Sequence, residues 1–189
     1  MNTWACPKKI RARHDTIVDL GKIQGQYWSM AGKCDGPGCE IDQILEAGII
    51  TPEQFHGVEI QRDIYDFNVE TYPLLQWHCG DFLNVMRNYP DFQPGLVNAD
   101  LLQSIKTAAQ YVGSLLYLLT PYDAKLVVNL IMDYRGIHVE PDEVMNQLLH
   151  CQQYRHSVRA GWTHNDRCYL YPGTGHRSKT VMGTFVFQR

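Results

Sequence analysis

Gly32-Lys33-Cys34-Asp35-Gly36-Pro37-Gly38 is a glycine turn, and its surroundings decide how the chain reads. Before it, Gln26-Tyr27-Trp28-Ser29-Met30-Ala31 is aromatic and apolar and reads as a strand. After it, Glu40-Ile41-Asp42-Gln43-Ile44-Leu45-Glu46 places Ile41, Ile44 and Leu45 on one helical face, and Gly48 stands where helices stop. Phe55-His56-Gly57-Val58-Glu59-Ile60 is a second apolar segment that closes on an acid, and a third closes on Gly80-Asp81. Strand, glycine turn, helix, strand with a terminal acid is the order that a nucleotide-type ligand pocket requires. The glycines let the backbone approach the ligand, and a carboxylate after the next strand can bind ribose hydroxyls.

Outward from this stretch the alternation continues. Residues 63–70 read as a helix stopped by Pro73, 74–78 as a strand and 82–87 as a helical turn. Residues 95–100 form a strand that again ends in an acid, Asp100. Residues 103–119 form a long helix carrying Ile105, Ala108, Ala109, Val112, Leu115, Leu116 and Leu119. Residues 125–133 are nearly all apolar, as a parallel strand covered on both faces must be. Pro141 opens a helix over 141–156, and the strand-like runs 167–171 and 180–187 flank a turn-rich loop, which makes a closing hairpin. Before the glycine turn, 8–21 read as a helix through Ile10, His14, Ile17 and Leu20.

This pattern predicts an α/β fold with helices on both faces of a mostly parallel sheet. Right-handed crossovers then bring the strand ends near Ala31, Glu59, Gly80-Asp81 and Asp100 to one edge, where open α/β sheets bind ligands. The 189 residues fit a single domain over 1–189, with 1–23 as an N-terminal helical extension. A hydrophobic fraction of 44% with 20% charged residues is an ordinary globular composition. The formal net charge of −3 disfavours a strongly basic nucleic-acid binder. No stretch has the length and apolarity of a bilayer span, and the N-terminus lacks a signal-peptide pattern.

Cys6, Cys34, Cys39, Cys79, Cys151 and Cys168 form no CxxC pair and read as reduced thiols of a cytoplasmic protein. Cys34, Cys39, His78 and Cys79 are the one combination with zinc-ligand character. The gap between Cys34 and Cys39 is loose for a zinc knuckle and no second tight pair exists, so no metal site is expected.

In its order of elements the chain resembles the class I S-adenosylmethionine-dependent methyltransferases, from about Gln24 to Phe187. The resemblance implies a three-layer, mostly parallel seven-stranded sheet ending in a β-hairpin. It also implies S-adenosylmethionine as cofactor and methyl transfer as the activity. Four matches carry it. The turn with Gly32, Gly36 and Gly38 stands where the family holds the methionine part of the cofactor. Glu59 stands where an acid binds the ribose hydroxyls. Asp81 and Phe82 stand where the adenine is read, and Asn98-Ala99-Asp100 takes the place of the catalytic-loop motif, with Asp100 orienting or deprotonating the acceptor. Two departures accompany the matches. The first strand ends Ser29-Met30-Ala31 without the family's acid, and the turn is longer, with Pro37 between glycines. Asn98-Ala99-Asp100-Leu101 also lacks the prolines and aromatic residue that wall in a flipped base, which disfavours base N-methylation.

Plainer roles compete at each position. The turn can serve only positive φ angles, Glu59 can be a solvated strand end, and Asp81 and Asp100 can be helix caps. His56 and His78 read as packed side chains. The leading expectation is a methyltransferase whose acceptor the sequence leaves open. The alternatives are a non-catalytic Rossmann-like binding or assembly module, and a dinucleotide-binding oxidoreductase, which the absence of GxGxxG disfavours.

Overall fold

The fold of the first hundred residues starts from β1 (Gln26–Ser29), whose residues Tyr27, Trp28 and Ser29 are all buried. A short strand with no exposed side chain in its last three positions must be central, and it has a parallel neighbour on each side. Tyr27 stands opposite Phe55 of β2 (Phe55–Glu59) and Leu96 of β4 (Pro94–Leu101), and Ser29 opposite Gly57 and Asn98. β3 (Gln76–Cys79) extends the sheet beyond β2, with Glu59 opposite Cys79. The structure is a computed structural model, and it describes residues 11, 15–35, 38–101, 105–131, 133–134, 137–138, 142–143, 146, 161–164, 169–172 and 181–189.

Two compact units make up the chain, Met1–Asn98 and Ala99–Arg189, and the boundary falls inside β4. In the first unit the strand order is β3-β2-β1-β4. Alternate side chains point to opposite faces of these strands. On one face α1 (Glu40–Glu46) meets Tyr27 and Ser29, while the residue after α2 (Arg62–Thr71), Tyr72, accepts the Trp77 indole N–H. Gly57 is required here, because a Cβ would lie 2.3 Å from the Trp77 ring. On the other face Trp28, His56 and His78 stack, with Tyr89 and Phe92, from the loop after α3 (Phe82–Asn88), set edge-on against them.

The second unit begins with the end of β4, and its strands run β4-β5-β10-β8, with β9 also paired to β10. These are β5 (Lys125–Ile131), β8 (Thr163–His164), β9 (Tyr169–Pro172) and β10 (Val181–Gln188). β10 runs antiparallel to β5 and to β9, the predicted closing hairpin. The pair β6 (Asp133–Tyr134) and β7 (Ile137–His138) forms a separate small ladder. Leu126, Val127, Val128 and Leu130 of β5 are buried, as a near-continuous apolar strand requires. α4 (Ile105–Leu119) packs on β5 and buries Ala108, Val112, Leu115, Leu116 and Leu119 at helical spacing. The buried Asn129 is satisfied across the ladder, where the Thr184 hydroxyl donates to its Oδ1 at 2.6 Å.

The main sheet thus has eight strands rather than seven, the extra one being the two-residue β8. Some boundaries also move. The third strand starts at Gln76, because Leu75 N–H turns back onto the Tyr72 carbonyl and leaves Leu74 exposed. The 8–21 helix is described only at Arg11 and 15–17, and it tightens into a 3-10 turn over Val18–Leu20. Most of the 141–156 helix and of the hairpin loop lies outside the described residues.

Candidate functional site

In the first unit Ser29, Glu59 and Cys79 end their strands along one edge, and Asn98, within β4, stands opposite Ser29. Met30 N–H continues the ladder onto the Asn98 carbonyl. The glycine turn leaves β1 at this edge. Gly32 and Gly38 take φ of 59° and 75°, values that a side chain would strain, so the turn needs glycine at both positions. Gly36 lies outside the described residues.

Asn68 of α2 holds the turn in place. It is fully buried, its Nδ2 donates to the Gly32 carbonyl at 2.7 Å, and its Oδ1 accepts the Cys34 N–H at 3.1 Å. Lys33 Nζ lies 3.4 Å from Asp35 Oδ2 and 4.4 Å from the centre of the Phe67 ring. Asp35 Oδ1 is buried with no hydrogen-bond partner among the described residues. Behind the turn, the two Glu40 carboxyl oxygens collect three donors: Tyr27 Oη and Ser29 Oγ at 2.6 Å each, and Asn98 Nδ2 at 2.7 Å. This buried group ties α1 to β1 and β4.

Glu59 is half-buried at the end of β2, and its Oε1 accepts the Gln61 N–H at 2.8 Å. Ile60 follows it with 69% of its surface exposed, an apolar face beside the carboxylate. Asp81 caps α3 by accepting the Asn84 N–H at 3.0 Å, as its alternative role predicted. Phe82 is buried, so towards the edge it offers only backbone. Asp100 lies in the second unit, half-buried, next to the last residue of β4.

The two histidines are packed, as expected. His56 Nδ1 and His78 Nε2 are 3.2 Å apart, and burial, then the neighbouring His78, pushes His56 down to about 4. Burial lowers His78 as well. The zinc combination is not assembled: His78 stacks with Trp28 and His56, Cys79 is exposed, and Cys34 and Cys39 are buried, with Cys39 Sγ 3.3 Å from Tyr72 Oη. No three His, Cys, Asp or Glu side chains among the described residues are grouped as metal ligands. No helix among them is long and apolar enough to cross a membrane.

Sequence reasoning missed Asn68, Glu40 and Tyr72. For the first two the signal was a polar residue on an apolar helical face: Asn68 falls four residues after Ile64, and Glu40 four before Ile44. Tyr72 carried no such mark.

No family model and no curated protein matches the sequence. Solved structures do match in fold. The magnesium protoporphyrin IX methyltransferase ChlM of Synechocystis PCC 6803, solved with bound S-adenosylmethionine, aligns with a TM-score of 0.60 at 11% identity, over 96% of this chain and 78% of that one. TrmN from Thermus thermophilus aligns with a TM-score of 0.57 at 8% identity over 95% of this chain, which spans about half (48%) of TrmN. The [4+2]-cyclase SpnF aligns with a TM-score of 0.56 at 10% identity, over 96% and 80%. The chain has the Rossmann-like fold of the class I S-adenosylmethionine-dependent methyltransferases.

Proposed function

We propose that the chain binds S-adenosylmethionine and transfers its methyl group to an acceptor. The observation that carries this is the edge itself: a glycine turn pinned by Asn68 leaves β1, and an acid with an exposed apolar neighbour, Glu59-Ile60, ends the adjacent β2. The hydrogen bond from Gln61 N–H does not exhaust Glu59, because a carboxylate has about four acceptor sites. Ribose hydroxyls can share it. Asp81 likewise caps its helix and keeps acceptor capacity for the adenine, with Phe82 contributing backbone. The turn containing Gly32, Gly36 and Gly38 would carry the methionine part. Asp35 there offers a buried carboxylate oxygen, which suits an ammonium group and compensates for the acid that β1 lacks. Bound, the cofactor supplies a methyl group on sulfonium sulfur, and the protein's work is chiefly to position the acceptor, with Asp100 orienting or deprotonating it.

A second reading, a non-catalytic binding module, is favoured by one observation: both Glu59 and Asp81 already serve local backbone donors. Calorimetric titration with S-adenosylhomocysteine separates the two. Wild type should bind. Glu59→Ala should bind roughly ten- to a hundred-fold more weakly, the loss of a charge-assisted bond of about 1.5–3 kcal/mol. Glu59→Gln should be intermediate. Losing the Gln61 contact should cost about 1 kcal/mol of stability at most, which thermal melts will register. Equal binding by all three proteins would remove Glu59 from the site. No binding by wild type would leave the module reading in place.

A further inference from the structure

The glycine turn holds a pair of opposite charges, and the proposed methyl transfer calls on only one of them. Lys33 Nζ lies 3.4 Å from Asp35 Oδ2, and Asp35 Oδ1 is buried with no hydrogen-bond partner among the described residues. Lys33 is the one lysine or arginine in residues 23–61, against six aspartates and glutamates. These residues carry β1, the turn, α1 and β2, which build this part of the edge. A negatively charged group bound beside the turn therefore has a single cation to meet on them. We propose that Lys33 and Asp35 form a clamp for an α-amino-acid end, Asp35 taking the ammonium and Lys33 the carboxylate. The turn thereby selects an adenosine cofactor that carries an amino acid over one that does not. This inference rests on the proposed binding of S-adenosylmethionine.

The charges match in order and in spacing. An α-amino acid carries its ammonium and its carboxylate on one carbon, so the two lie side by side, as the charges of Lys33 and Asp35 do. Set against the pair, each charge faces its opposite and the four alternate in sign. Both protein groups keep capacity for this. A lysine ammonium has three donors, and the contact with Asp35 uses one of them. A buried carboxylate oxygen without a partner is costly, and an incoming ammonium removes that cost through a charge-assisted bond.

Contacts with α2 hold the pair ready. The Gly32 carbonyl and the Cys34 N–H, which flank Lys33, are both bonded to the Asn68 amide. Phe67, the residue before Asn68, lies under the Lys33 ammonium, with Nζ 4.4 Å from the ring centre. The backbone and the side chain of Lys33 are thus fixed by two neighbouring residues of one helix. The Lys33 side chain is 42% exposed and that of Asp35 19%, so the cation faces solvent while the acid lies deeper. A nucleoside without an amino acid uses neither group.

Calorimetric titration of the full chain with three ligands tests the clamp. They are S-adenosylhomocysteine, its decarboxylated form, which keeps the ammonium, and methylthioadenosine, which has neither charge. Wild type should bind S-adenosylhomocysteine roughly tenfold or more tightly than methylthioadenosine. Lys33→Met should weaken S-adenosylhomocysteine roughly tenfold and leave methylthioadenosine within about twofold. It should bind the decarboxylated ligand no more weakly than wild type does, because Asp35 then has no competing cation. Asp35→Asn should weaken both ammonium-bearing ligands roughly tenfold. Lys33→Arg should keep most of the affinity, since it keeps the cation. The clamp is overturned, and the cofactor reading stands, if wild type binds S-adenosylhomocysteine and methylthioadenosine equally. The same holds if Lys33→Met weakens the decarboxylated ligand as much as S-adenosylhomocysteine, the mark of a lysine that only shapes the turn. Binding of none of the three by wild type overturns the clamp and the cofactor reading together.

Discussion

Glu40 and Asn68 show what single polar residues do inside this fold. A buried carboxyl surrounded by Tyr27, Ser29 and Asn98 is worth keeping only while all three donors point at it, because each stranded donor costs about 1–3 kcal/mol. Glu40→Leu should therefore destabilise the protein by about 3 kcal/mol or more in urea unfolding. Adding Tyr27→Phe should recover part of that loss, since it removes one orphaned hydroxyl. A loss below about 1 kcal/mol, or strictly additive effects, would mean that water satisfies the donors and the network holds nothing. At this scale the sequence was partly legible. The turn glycines Gly32 and Gly38 and the acid Glu59 were visible because their chemistry is local: a positive φ, and a strand terminus. Asn68 was not, because its value lies in an amide that reaches back 36 residues to Gly32, and nothing in the sequence around it specifies that partner. Glu40 was visible only as the first residue of a helical run. Its burial depends on β4, 58 residues away at Asn98.

Among the elements, the β1–β2–β3 face is the most unusual, since two imidazoles stack within it. His56 is almost fully buried beside Trp28, His78 and Tyr89, and takes its proton only near pH 4 in the folded chain, against an ordinary value of 6.5. The sign follows from this. The unfolded chain is protonated as the pH falls through 6.5, while the folded chain resists until about 4, so acid favours unfolding across that window. The effect is fully absent above the window and reaches roughly 3 kcal/mol at its foot. Between pH 6 and 5, wild type should lose stability faster than His56→Gln by about 1.2 kcal/mol per pH unit, measured as urea midpoints at each pH. Parallel slopes for the two proteins would show that His56 is protonated in the folded state at little cost. The elements themselves were mostly legible, because helix α4 carries a clean helical periodicity and strand β5 a near-continuous apolar run. β8 escaped because two residues, Thr163 and His164, form no pattern, and their strand state is set by β10. The Leu74 start of the third strand misled because apolarity was taken for pairing, whereas Pro73 and the turn onto the Tyr72 carbonyl delay the ladder to Gln76.

At the scale of the whole molecule, the boundary between the two compact units falls inside one strand, between Asn98 and Ala99 of β4. Buried backbone groups need hydrogen-bond partners, so melting one part of this strand alone would leave groups of the other part unpaired. Each unit also carries its own buried reporter, Trp28 in the first and Trp162, whose indole donates to Thr120 Oγ1, in the second. We therefore expect the chain to unfold in one transition, with both reporters lost together. Val128→Asp provides the test. Val128 is fully buried in β5 opposite Phe185, itself buried, so a carboxylate there would be charged and unpaired in the core. The milder Val128→Ala should cost about 2 kcal/mol and lower the melting temperature by roughly 4–8 °C, keeping one transition. Val128→Asp should abolish the cooperative melt, and with it the near-ultraviolet circular dichroism of the packed tryptophans in both units. If the Asp variant loses the second unit's signal yet keeps a cooperative melt and a near-ultraviolet spectrum from Trp28, the first unit folds without the second. The strand β4 would then be completed by the first unit's own ladder with β1, where Met30 N–H reaches Asn98.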